Sequence, residues 1–71
     1  MSFDYSKLRG KIREKYKTQE VFAGGLGISA ASLSDKLNEK SDFSHGEITL
    51  ACDKLGIPYE CISEYFFCEK S

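Results

Sequence analysis

Ala30, Ala31, Ser34, Asp35 and Asn38 recur at the spacing of one helical face, and their side chains are short and suited to contact rather than bond-making. Alanine methyls can pack on thymine methyl groups, a serine hydroxyl donates or accepts with little discrimination, and a carboxylate can accept from a cytosine amino group. No arginine or glutamine stands on this face to give bidentate readout of a base edge, so it predicts modest base discrimination supplemented by DNA shape. Elsewhere the chemistry is sparse. One histidine, His45, no carboxylate pair in a plausible cleft and no nucleophile–base spacing argue against an enzyme. Cys52, Cys61 and Cys68 have no CxxC spacing and read as reduced, small apolar residues, with Cys68 exposed near the end. No metal, cofactor or small-molecule ligand is expected.

Two short helices must hold that face. Thr18 caps the first and Ser29 the second, and Gly27 between them supplies the positive φ of a tight turn. Ile28 fills the space at the turn, Ala23 permits close approach, and Leu33 and Leu37 fasten the second helix from behind. The span 18–38 therefore reads as a helix-turn-helix, a device that presents one helix to the major groove of DNA. Gly24 and Gly25 weaken the first helix by roughly 1 kcal/mol each relative to alanine, so packing through Phe22, Ala23 and Leu26 must hold it. A phosphate-binding glycine loop is excluded, because the G-x-x-x-x-G-K-[ST] pattern and a preceding buried strand are both missing.

Around this motif the punctuation predicts further helices. The first follows Asp4 as cap and runs to about Tyr16, with Tyr5, Leu8, Ile12 and Tyr16 as its apolar stripe and Phe3 and Leu8 as a hydrophobic staple. The fourth opens with the capping box Ser44/Glu47, buries Ile48, Ala51, Cys52 and Leu55, and ends at Gly56. Pro58 starts a short helix or turn around residues 59–62 in an aromatic tail spanning 58–71. No segment alternates with period two, so the expected fold is all-α: a compact bundle of four to five short helices forming a single domain over residues 1–71.

Charge is divided unevenly. Residues 1–40 hold eight Lys/Arg against five acids, whereas residues 41–71 hold two lysines against six acids. Such a chain can meet a polyanion with one side only. The cations of the first helix (Lys7, Arg9, Lys11, Arg13, Lys15 and Lys17) alternate and splay around it, and most read as solubilising, with Lys15 and Lys17 placed to touch phosphate. No apolar run approaches the ~20 residues of a membrane span, and Met1-Ser2-Phe3-Asp4 is unlike a signal peptide, which predicts a cytoplasmic protein.

The run Thr18 to Lys40 resembles the Cro/CI-type, lambda-repressor-like helix-turn-helix family, matching the pattern T-Q-x-x-F-A-x-x-L-G-I-S-x-x-x-L-S-x-K-L-N. The flanking Phe3-Asp4-Tyr5 and Tyr65-Phe66-Phe67 are similar to small phage and prophage regulators of Gram-positive bacteria. The resemblance implies a lambda-repressor-like DNA-binding domain in which Gln19 and Asn38 meet the DNA backbone and Ser29, Ala30, Ala31, Ser34 and Asp35 face base edges. Lys36 and Lys40 are expected to assist in positioning. Glu39 stands where the family usually has glycine.

The expected function is that of a sequence-specific transcriptional regulator, Cro- or repressor-like, inserting its third helix into a double-stranded operator and occluding polymerase. The alternative is a protein-interaction adaptor of the same fold, antirepressor or antitoxin-like, with little DNA binding. It is motivated by the net charge of −1, by Asp35 and Glu39, and by the Ala30-Ala31 patch. Tyr65, Phe66 and Phe67 are consecutive and cannot all point into one core, so a homodimer through the C-terminal segment is a further expectation, with recognition helices ~34 Å apart on a palindrome.

Overall fold

The computed structural model describes residues 3–69. Five α-helices follow one another: α1 (Ser6–Tyr16), α2 (Gln19–Leu26), α3 (Ala30–Leu37), α4 (His45–Leu55) and α5 (Ile62–Phe66), with a 3₁₀ turn at Tyr59–Cys61 leading into α5. Among the described residues, extended pairing amounts to an isolated antiparallel bridge between Phe3 and Glu69. The all-α expectation holds.

Helix starts lie where the sequence offers an oxygen to unpaired N–H groups. The Val21 N–H donates to Thr18 Oγ1 at 3.2 Å and the Ser32 N–H to Ser29 Oγ at 3.0 Å. Both halves of the capping box form, Glu47 N–H to Ser44 Oγ at 3.1 Å and Ser44 N–H to Glu47 Oε1 at 2.8 Å. At α1 the helix begins one residue later than a cap at Asp4 requires: Asp4 Oδ1 accepts from the Ser6 N–H at 2.8 Å, and Tyr5 occupies the cap position. Gly27 and Gly56 terminate α2 and α4 in the left-handed conformation, at φ 77° and 68°.

The apolar faces meet in one core. Leu8 and Ile12 of α1, Phe22, Ala23 and Leu26 of α2, Leu33 and Leu37 of α3, and Ala51, Cys52 and Leu55 of α4 are all buried. The α2 and α3 helices pack closely on one another, and α1 lies against α2, α4 and α5. The Tyr16 ring sits 5.1 Å from Phe22, centroid to centroid, and its hydroxyl donates to the Lys54 carbonyl at 3.3 Å. Asp4 donates its N–H to the Cys68 carbonyl at 2.6 Å, which joins the two ends of the described chain.

The tail requires a correction. Phe66 is 1% exposed and meets Phe43 edge-on at 5.3 Å, so it belongs to the core and cannot contribute to a homodimer surface. Tyr65 is half-buried against the same core, and of the three only Phe67 is exposed. The short α5 turns successive side chains by about 100° each, which is why one ring points inward and its neighbour outward.

Candidate recognition surface

The turn from α2 to α3 is made by Gly27, Ile28 and Ser29. Gly27 takes the left-handed conformation, the Ile28 N–H donates to the Ala23 carbonyl at 3.0 Å, and Ser29 caps α3. Leu33 and Leu37 anchor α3 at 0% and 3% exposure, which turns the other side of the helix outward. Ser29, Ala30, Ala31, Asp35 and Asn38 are exposed there and Ser34 is half-buried beside them. The structure therefore brings these expected residues onto one face.

Lys36 is not on that face as a free cation. Its ammonium lies 3.2 Å from Glu47 Oε1 and donates to the Asp42 carbonyl at 3.0 Å, with the side chain only 12% exposed. The expectation that Lys36 positions a nucleic acid is corrected accordingly: it clasps α3 to α4 across the intervening loop. Glu47 accepts from the Ser44 N–H and faces Lys36, and these two contacts hold its carboxyl below the usual range near 4.5 despite partial desolvation.

Asn38 is likewise engaged within the molecule. Its Oδ1 accepts from Arg9 Nη2 at 2.9 Å, and its amide nitrogen lies 3.3 Å from Ser34 Oγ. Arg9 Nη2 also donates to the Leu37 carbonyl at 3.0 Å, tying α1 to the C-terminal end of α3, where a cation meets the negative end of the helix. Nothing in the periodicity of α1 singled out Arg9 for this task. Glu39 adopts φ 64°, the region that favours glycine, and its carboxylate accepts from the Phe3 N–H at 3.0 Å. That hydrogen bond offsets part of the backbone cost, of order 1 kcal/mol. Lys40 is exposed and donates its N–H to the Asp35 carbonyl at 2.8 Å.

Gln19 opens α2. It lines a cleft of about 280 Å³ with Arg9, Arg13, Lys17 and Thr18. The positive end of α2 and the guanidinium and ammonium groups beside it make this the cationic edge of the motif. The face of α3, by contrast, carries methyl, hydroxyl and carboxylate groups.

The solved structure of the modulator of repression (MOR) of the temperate bacteriophage TP901-1 from Lactococcus lactis is similar to this chain. The two share 45% sequence identity at a TM-score of 0.82, with 94% of this chain and 90% of that chain covered. Among curated proteins nothing matches. A family model described as "Protein of unknown function (DUF739)" matches residues 1–69, and the chain belongs to that family.

Proposed function

We propose that this chain is a regulatory protein that modulates repression in a temperate phage, docking α3 on a protein partner with a cationic surface. The 45% identity to a phage modulator of repression supports the regulatory role. The state of Lys36 carries the choice of partner. With its ammonium held by Glu47 and the Asp42 carbonyl, α3 presents Ala30, Ala31 and Asp35 with no free cation of its own. Phosphate contacts normally supply most of a protein's affinity for duplex DNA, and carboxylates facing the backbone oppose it. Methyl and carboxylate groups instead complement an apolar surface rimmed by lysine or arginine. An antirepressor-like adaptor fits this arrangement.

A second reading, a Cro/CI-like operator binder, has its own support in the cleft lined by Gln19, Arg13 and Lys17 and in the likeness of residues 18–40 to that family. Salt-dependent binding of the purified chain to random duplex and to DNA flanking its own gene separates the two. The adaptor reading predicts weak binding without preference for any fragment. Tight binding to one fragment, falling with salt at a slope of ~0.9 per phosphate and weakened by Lys40→Glu, would instead establish the operator binder.

A further inference from the structure

A groove of about 380 Å³ opens between α4, the 3₁₀ turn and α5. Ile48 and Cys52 of α4, Ile57 of the connecting loop and Ile62 of α5 line it with His45 and Thr49 at the polar end, and the aromatic residues Tyr59 and Phe67 border it. Tyr59 is 86% and Phe67 49% exposed. Apolar residues scattered over a surface need no explanation, but two aromatic rings beside one apolar hollow form a continuous patch of the kind that marks an interface.

Charge identifies the occupant. Asp53 follows Cys52 on α4 and Glu60 follows Tyr59 in the 3₁₀ turn, and neither enters an ion pair among the described residues. Between residues 41 and 69 the sequence has six acids and a single lysine, Lys54. Of those acids, Glu47 and Glu64 are matched by Lys36 and Lys7, which leaves Asp53 and Glu60, each exposed and one position from a lining residue, without an ion pair. A second copy of the chain would bring the same carboxylates against them, and like charges across an interface are unfavourable. We propose that this groove is a docking site for a basic amphipathic segment of another protein, whose apolar side chain enters between α4 and α5 while its lysines or arginines meet Asp53 and Glu60. None of the groove's walls belongs to α2 or α3, so the proposal stands whether α3 meets a protein or DNA.

The test is an amide-shift titration of the isotopically labelled full chain with a synthetic helical peptide carrying leucines on one face and lysines on the other. A second peptide with glutamate in place of lysine serves as control. Shifts confined to Ile48, Cys52, Ile57 and Ile62, absent with the acidic peptide, are expected. Tyr59→Ala is expected to weaken the interaction about tenfold, and Glu60→Lys severalfold. Both changes lie on the exposed 3₁₀ turn, so the helical circular dichroism should stay intact. The absence of shifts, shifts at residues 30–37 instead, or a dimer of the chain alone that Tyr59→Ala dissociates would each overturn the proposal.

Discussion

Lys36 directs its ammonium at Glu47 and the Asp42 carbonyl, and the consequences can be measured one side chain at a time. Glu47 is shared between two tasks, accepting from the Ser44 N–H at the start of α4 and pairing with Lys36. Because folding lowers its pKa, the stability it contributes is complete above the ordinary glutamate value near 4.5 and is lost as pH falls through the folded value. Glu47→Gln should therefore cost about 1 kcal/mol in urea unfolding at neutral pH, with the gap to the parent chain closing as the pH is taken below the ordinary glutamate range. An equal deficit at neutral and acid pH would show that charge plays no part. The thiols form a graded series. Cys52 is buried and burial pushes its thiol up, Cys61 is half-buried, and Cys68 is exposed. Timed alkylation read by mass spectrometry should modify Cys68 first and Cys52 last.

Among the elements, α2 is the one built against its own propensity. Gly24 and Gly25 both face open space, with nothing within 4 Å of where a Cβ would stand, and α2 is held by Phe22, Ala23 and Leu26. Gly24→Ala and Gly25→Ala should each raise stability by about 0.5–1 kcal/mol. Gly27→Ala, at φ 77°, should lower it by about 1 kcal/mol, since alanine resists that conformation. Thermal melts of the three variants read both signs, and a Gly27→Ala as stable as the parent would contradict the account of the turn. These local features were legible in the sequence because each is a short-range rule. Thr18, Ser29, the Ser44/Glu47 box, Gly27 and Gly56 announce helix ends within a few residues of themselves. Long-range pairings carried no such mark. Arg9 reaches Asn38 across 29 positions and Lys36 reaches Glu47 only because the loop between α3 and α4 folds back, so a cation that looked free for phosphate is occupied. Phe66 and Phe67 were equally apolar in sequence, and only the direction of α5 against the core separates them.

At the scale of the whole molecule, surfaces of different character surround a small core. The cleft of Arg13, Lys17 and Gln19 lies at the start of α2, the methyl and carboxylate face lies on α3, and a largely apolar groove lies between α4 and α5. No helix among the described residues is long and apolar enough to cross a membrane. Under the proposed function, α3 acts on the machinery of repression and does not occupy an operator in its place. The most direct measurement is operator binding by a repressor encoded in the same genome as this chain, followed by fluorescence anisotropy with and without it. The account predicts that the chain changes the repressor's apparent Kd for its operator while binding that DNA only weakly alone, and that Asp35→Lys reduces the effect about tenfold. An unchanged repressor Kd, together with tight salt-sensitive binding of the chain itself to the operator, would contradict it.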